Sequence, residues 1–302
     1  MSSIQSIPNC VLCLRKHLRM QGRTKTGINT DAVKYQPIKM RQPYNTDLSS
    51  KEWEIIAPML PKASKLGRPP KTDFQEVMNG IFYITKNGCT WENLPHDFPP
   101  YSTVYFYFQR WTKTGVIAEI NHQISAQVRL ADGREETPSL ASLDSQSVKT
   151  MDSAGSRGID GGKKINGRKR FIMADTLGLA IGVMVCPANV GERAGAMKLL
   201  ESLKYPMRRL QKILVDKGFS GDDITKWVKD NFNCIWEVSK RAEAQKGFVV
   251  ESKRWVVERT FAWIGKYRRL SKDHEFYENT SESFIYLALI RKMLRNLTAV
   301  NS

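Results

Sequence analysis

The stretch from residue 139 to 185 limits the fold more than any other part of the chain, because it reads as three consecutive strands. Ser139 to Val148 is the first. Arg170 to Ala174 and Leu179 to Val185 flank Asp175-Thr176-Leu177-Gly178, a hairpin signature in which Gly178 supplies the unusual backbone angles of the turn. The periodicity then changes. Glu192 to Leu203 is predicted helical, Lys212 to Asp216 a short buried strand, Asp222 to Asn231 a helix and Cys234 to Val238 a strand, followed by a long helix from Lys253 to about Arg269. Three antiparallel strands followed by helix, strand, helix, strand and helix define an α/β chain.

That is the element order of the ribonuclease-H-like fold, although order alone establishes no chemistry. Upstream, residues 46–117 read as short helices. Thr46-Asp47-Leu48-Ser49 offers N-cap residues, Pro58 and Pro61 close the first element, and Thr72 or Asp73 caps a second carrying Phe74, Val77, Met78, Ile81 and Phe82. Gly88 ends it, and Ser102 is placed to cap a third through Val104, Tyr105, Phe108 and Trp111. The outline is helix-turn-helix-like, with a plain helical bundle as the alternative. The predicted organisation is a basic, poorly ordered extension (1–45), a small helical DNA-binding domain (46–117), a connector (118–138) and a ribonuclease-H-like catalytic domain (139–302).

Charge narrows the partner. Lys and Arg number 47 against 30 Asp and Glu, a net charge of +17, which points to a polyanion. Nucleic acid leads over an anionic membrane surface, since no apolar run reaches the ~20 residues a spanning helix requires. Residues 1–41 carry eight Lys or Arg and one acid, Asp31, a composition shared by transit peptides and nucleic-acid arms. Of five cysteines only Cys10 and Cys13 form a C-x-x-C pair, and the four histidines are scattered, so thiols in a reducing compartment are favoured over a zinc site.

Phosphodiester chemistry without an organic cofactor commonly uses two divalent ions ~3.5 to 4 Å apart, held by carboxylates. Asp144 lies inside the first strand, where an acid is disfavoured, and Asp216 ends the apolar run Ile213-Leu214-Val215. Each alone reads more readily as a solvated strand-end acid; their joint occurrence carries the weight. Glu258 sits on the predicted long helix, with Arg254 one turn before it and Arg269 three turns after it on roughly one face. An ordinary i,i+4 pair would explain Glu258 by itself. It would not explain ten Lys or Arg over residues 240–272, interleaved with Trp255, Phe261, Trp263 and Tyr267.

Five motifs, in this order and spacing, resemble the bacterial insertion-sequence transposases of the IS-five group, within the DDE superfamily. They are Ser142-Leu143-Asp144-Ser145-Gln146-Ser147-Val148, Gly161 to Arg170, Asp175-Thr176-Leu177-Gly178, Val215-Asp216-Lys217-Gly218-Phe219 and Trp255-Val256-Val257-Glu258-Arg259-Thr260-Phe261. Trp91-Glu92-Asn93-Leu94-Pro95 and Phe98 to Tyr105 extend the likeness to the helical part, so it covers about residues 46–297. The resemblance implies that Asp144 and Asp216 bind Mg²⁺, with Mn²⁺ as a substitute, and that Glu258 completes the catalytic and metal site. In the family's helix pattern of Tyr, Arg, Glu and Lys, Arg254 and Glu258 match. Glu251 and Gly265 depart from it, leaving Lys266 or Arg269 as substitutes for the Lys.

The resulting expectation is a transposase that binds double-stranded terminal inverted repeats, cleaves phosphodiesters and transfers 3′-OH ends to target DNA. A homo-oligomer in the synaptic complex and a bacterial cytoplasmic, nucleoid-associated location without a membrane follow from that reading. DNA contacts are expected from Lys163, Lys164, Arg168, Lys169 and Arg170, from Arg254, Lys266 and Arg269, and from Ser102, Gln109 and Arg110. A nuclease of the same fold, or an inactive or domesticated DNA-binding protein, are the alternatives.

Overall fold

The structure is a computed structural model describing residues 41–61, 72–151, 155–205, 207–239 and 255–300. Arg254, Cys10, Cys13 and nearly all of the basic extension lie outside the described residues. The six strands are β1 (Leu140–Lys149), β2 (Gly158–Asp160), β3 (Ile165–Asp175), β4 (Ala180–Pro187), β5 (Lys212–Val215) and β6 (Ile235–Val238), in one sheet ordered β2-β3-β1-β5-β6 with β4 also on β3. β1, β3 and β4 pair antiparallel, as the hairpin pattern predicts, while β5 joins β1 in parallel and β6 joins β5 in parallel. Gly178, at φ +84, makes the β3–β4 turn. Sequence reading did not anticipate β2, which forms a hairpin with the first residues of β3.

Strand alternation divides the interior into two layers. Ala141, Leu143, Phe171, Met173, Ile213 and Val215 pack beneath α5 (Glu192–Glu201) and α6 (Asp222–Phe232) through Leu199, Ile224 and Val228. The opposite face, with Ile172, Ala174, Val183 and Val185, packs against α7 (Trp255–Ile264) and α8 (Glu278–Val300). Two helical layers thus enclose a mixed sheet, a stable way to bury both of its faces.

The amino-terminal helices share that second layer. α1 (Ser50–Ile56) begins at Ser49, whose side chain and Glu52 form a reciprocal capping box. α2 (Phe74–Asn87) is capped by Asp73 and ended by left-handed Gly88. α3 (Tyr101–Thr114) starts one residue before the expected cap: Ser102 lies inside it and Pro100 occupies the N-cap without a side-chain bond. Its link to α2 runs from Gly88 to Pro100 with a short 3-10 turn, longer than the tight turn expected there, whereas α3 passes into the next helix through Gly115 alone.

Residues 118–138, read as a weak connector, hold most of α4 (Val116–Ala131), whose Ile117, Ile120 and Ile124 are buried. These helices have no apolar interior of their own: Ile56, Ile81, Phe108 and Ile120 belong to the same contiguous interior as Phe284, Leu287, Ile290 and Leu294 of α8. Polar anchors reinforce the union, with Arg291 paired to Glu52 and Leu48 N–H donating to Asn79 Oδ1 at 2.9 Å. No helix among the described residues is long and apolar enough to cross a membrane.

α8 also closes an exposed sheet edge. Along β4, Val183 N–H donates to the Tyr286 hydroxyl at 3.0 Å and Val185 N–H to Glu282 Oε1 at 2.9 Å. Side chains of a helix thereby satisfy backbone donors that would otherwise invite another strand. Tyr286→Phe should cost about 1 to 3 kcal/mol in urea unfolding, because Val183 N–H is left buried without an acceptor. Burial pushes the Glu282 carboxyl up from its ordinary 4.5 to about 7, opposed by Val185 N–H and Lys204 and assisted by Glu278. A raised folded-state pKa means the contribution is fully present below about 4.5 and lost as pH rises toward 7. The urea midpoint should fall across that window, and Glu282→Gln should flatten the fall.

Candidate active site

β1 and β5 run in parallel with Ser142 beside Leu214, the last pair of their ladder, so Asp144 and Asp216, two residues further along in each segment, lie beyond it toward the same end of the sheet. Side chains two apart on a strand share a face, and residues level with one another on neighbouring strands share it too. Asp144 and Asp216 therefore occupy the face opposite Leu143 and Val215. Asp144 is half-buried and its Oδ1 accepts Ser145 N–H at 2.7 Å. Asp216, also half-buried, caps the following 3-10 turn through Gly218 N–H donating to its Oδ1 at 2.8 Å. Space beside Gly218 is tight: a Cβ would lie 3.1 Å from that oxygen and 3.5 Å from Glu192 Cγ.

α7 covers the same face. Ile172, the register partner of Asp144, belongs with Ala174 to the interior that Val257 and Phe261 of α7 enter. Glu258 is consequently on that side of the sheet, but it points outward. The inward arc of α7 is Val256, Val257, Thr260, Phe261 and Ile264, and at 100° per residue position 258 falls beyond it. Among the described residues no three His, Cys, Asp or Glu side chains stand together closely enough to hold a metal ion. Asp144 and Asp216 supply the carboxylate oxygens that a hard divalent cation prefers, but Glu258 does not form a three-ligand group with them.

α7 also ends sooner than its pattern predicts, at Ile264, followed by a 3-10 turn at Arg268–Leu270. The expected face shared by Arg254, Glu258 and Arg269 does not continue past that break. Lys266 is exposed and Arg269 is not available to DNA: it pairs with Glu275 at 2.6 Å, donates to Cys89 O at 3.1 Å and lies over the Phe284 ring.

The basic run 163–170 divides in the same way. Lys163 and Lys164 are exposed at the tip of the β2–β3 hairpin, whose turn is built by Gly162 N–H and Lys163 N–H donating to Asp160 Oδ1. Arg168, Lys169 and Arg170 are buried, which removes them from any phosphate-facing surface. Arg168 donates to Ser156 O, Glu275 O, Phe276 O and Ser281 Oγ and pairs with Asp273 at 3.2 Å. Arg170 donates to Leu270 O and Lys272 O, and burial pushes its pKa down to about 10, opposed by Asp273 and reinforced by Arg168. The two arginines lie on the α7 side of the sheet, beneath the segment that joins α7 to α8.

Lys169 lies on the other face and organises a polar group that sequence reading passed over. Its Nζ donates to Val190 O at 3.0 Å and to Glu192 Oε1 at 3.2 Å, and stands 3.7 Å from Asp160 Oδ2. Ser145 Oγ donates to Glu192 Oε2 at 2.7 Å and Ser147 Oγ to Asp160 Oδ2 at 2.5 Å. The chain of contacts fixes β1 directly behind Asp144. Ser147 and Lys163 N–H hold the Asp160 carboxyl below its usual range. The available signal was the Ser-x-Ser alternation on β1, out of phase with Asp144. Of the α3 positions, Ser102 and Arg110 are exposed and Gln109 is half-buried.

Two family models match the chain. Residues 135–292 match "Transposase DDE domain" and residues 48–121 match "Putative transposase of IS4/5 family". The first covers more than half of the chain, and the chain belongs to that transposase DDE-domain family. The "Putative transposase for insertion sequence element IS402" of Burkholderia cepacia is 26% identical over 111 residues, 34% of this chain and 52% of the relative. "Uncharacterized protein y4sN" of Sinorhizobium fredii (strain NBRC 101917 / NGR234) is 27% identical over 73 residues, 24% of this chain and 58% of the relative. The chain spans about half the length of the curated relatives it matches. The solved Mos1 strand transfer complex aligns over 78% of this chain and 79% of that one at 11% identity with a TM-score of 0.26, too slight a likeness to place residues.

The buried cations are testable without DNA. Arg168→Met should destabilise by about 3 to 5 kcal/mol, since it breaks the buried ion pair with Asp273 and frees the carbonyls that Arg168 holds. Lys164→Met, at an exposed hairpin tip, should change urea stability by less than about 0.5 kcal/mol.

Proposed function

We propose that this protein is a DNA transposase whose ribonuclease-H-like domain cuts phosphodiester bonds and transfers 3′-OH ends, with Asp144, Asp216 and Glu258 as its acidic triad. The observation that carries the reading is the parallel pairing of β1 with β5, with Asp144 within the one and Asp216 directly after the other, in a chain of the DDE-domain family. Their carboxylates are the residues that would hold a divalent cation, Mg²⁺ or Mn²⁺, which when bound supplies Lewis-acid stabilisation of charge developing on phosphate oxygens. Glu258 is the third acid of the triad, on the helix α7 that covers the same face of the sheet. Ser145 and Glu192 hold the Asp144 strand rigid, and Gly218 lets the Asp216 turn close tightly. Rigid placement of this kind is what keeps reacting groups within the narrow geometry that transfer demands.

DNA is bound by the exposed cations. Lys163, Lys164 and Lys266 contact phosphates, and the exposed positions of α3, Ser102 and Arg110 with half-buried Gln109, face the terminal inverted repeats. Two ends are brought together by a homo-oligomer, in the bacterial cytoplasm with the nucleoid.

Asp144→Asn and Asp216→Asn should each reduce cleavage and strand joining in Mg²⁺ by at least about 100-fold while leaving binding to the repeats intact, as measured with labelled ends and a gel-shift assay. Wild-type-like joining by either variant would end the catalytic assignment. A product profile of fragments without joined strands would favour a nuclease, and repeat binding with no metal-dependent cutting would favour an inactive DNA-binding protein. In a salt titration, log K should fall by ~0.9 per tenfold rise in salt for each phosphate neutralised, and Lys163→Ala with Lys164→Ala should lower that slope by about two such contacts.

A further inference from the structure

A cavity of about 350 Å³ lies where the end of α4, the entry to β1, the β3–β4 turn and the start of α7 meet. Arg129, Arg134, Ser139, Thr176 and Trp255 supply its polar groups, and no Asp or Glu lines it. Arg129 is the fixed element. It is 7% exposed, its Nε donates to Glu135 O at 2.8 Å and its Nη1 is paired with Asp175, so the guanidinium cannot turn away. Its Nη2 has no partner among the described residues and is not one of the unpartnered atoms sealed from solvent, which leaves it to the cavity that Arg129 lines. Arg134 is held in the same manner. Its Nε donates to Asp132 Oδ2 at 2.7 Å and its Nη1 to Thr176 Oγ1 at 2.7 Å, and its Nη2 is left over. Asp132 and Asp175 both stand outside the lining, so they brace the two forks without occupying the cavity.

The remaining polar groups of the wall can all donate. The Thr176 hydroxyl accepts from Arg134 and keeps its own proton free, and the Ser139 hydroxyl and the Trp255 indole N–H have no acceptor among the described residues. Donors gathered without acceptors call for a ligand that accepts, and guanidinium forks with nitrogens to spare call for an oxyanion. The two oxygens of a carboxylate would leave several of these donors idle, whereas a tetrahedral phosphate has oxygens enough for them. We propose that this cavity is a phosphate-binding site, with Arg129 and Arg134 as its forks and Ser139, Thr176 and Trp255 around them. Leu140 and Val256 complete its connection to the carboxylates: Asp144 lies four residues beyond Leu140 on β1, ~13 Å along the strand, and Glu258 follows Val256 on α7. The phosphate can be a free ion or belong to a DNA backbone crossing this face of the sheet; the recognition chemistry is the same, and only the second source rests on the transposase reading.

The test is equilibrium binding to the full chain without added metal and at fixed ionic strength, using inorganic phosphate, acetate and a short duplex DNA as probes. Phosphate should bind at one site, and acetate about tenfold more weakly for want of oxygens. Arg134→Met removes a side chain that is 42% exposed, so the melting temperature should hold while phosphate weakens about tenfold, the worth of one hydrogen bond to a charged group. Lys229→Met makes the same change of charge on the exposed side of α6 and should leave phosphate binding as in the wild type. If phosphate responds to Arg134→Met and duplex DNA does not, the ligand is a free anion; if the duplex responds, the phosphate is DNA-borne. If neither probe distinguishes Arg134→Met from Lys229→Met, or if acetate binds as well as phosphate, the site is refuted. Asp144→Asn should bind phosphate as the wild type does, which separates failure of this site from failure of the transposase reading.

Discussion

The fold depends on how three consecutive cations in its central strand are neutralised. Arg168, Lys169 and Arg170 alternate across β3, so burying that strand between helical layers commits charge to both faces. A buried cation is tolerated only when it is paired and its donors are used. Two different solutions have formed. The arginines take up carbonyls and Asp273 in the segment between α7 and α8, which ties the end of α7 to the sheet. Lys169 instead gathers Glu192 and Asp160, and through them Ser145 and Ser147 of β1. The strand bearing Asp144 is thus braced from behind by polar contacts while α7 covers it in front.

The same pairing explains what was legible in the sequence. Strand and helix order could be read because period and turn chemistry are local: Asp175 to Gly178 specifies a hairpin, and Ile213-Leu214-Val215 a buried strand, wherever they occur. Asp144 and Asp216 stood out only jointly, since either acid alone reads as a solvated residue at a strand end. The fate of a cation is not local. Lys164 and Arg168 look equivalent in a basic run, and only the arrival of Asp273 and the carbonyls of residues 275 and 276 makes one of them internal.

Helix ends and partners were lost for related reasons. Apolar residues through Tyr267 and Leu270 suggested that α7 continues, yet the chain turns at Gly265 so that Leu270 can be buried and Arg269 can reach Glu275. Residues 118–138 looked weak because α4 mixes Asn121, His122, Ser125 and Arg129 with its isoleucines. Each of the buried polar residues has a destination that sequence does not reveal, such as Asp175 for Arg129, which is buried with it.

The shared interior of α1 to α4 with α8 has a consequence for how such a chain can be inherited. A module that can be exchanged between genes must carry away its own interior when it is cut out. A crossover within residues 118–138 would sever α4 from α8, separate Glu52 from Arg291 and strand the apolar side of both pieces in water. Lineages that trade one helical region for another would therefore have to trade the matching surface of the carboxy-terminal helix as well, and substitutions at the two ends of the chain should change in step.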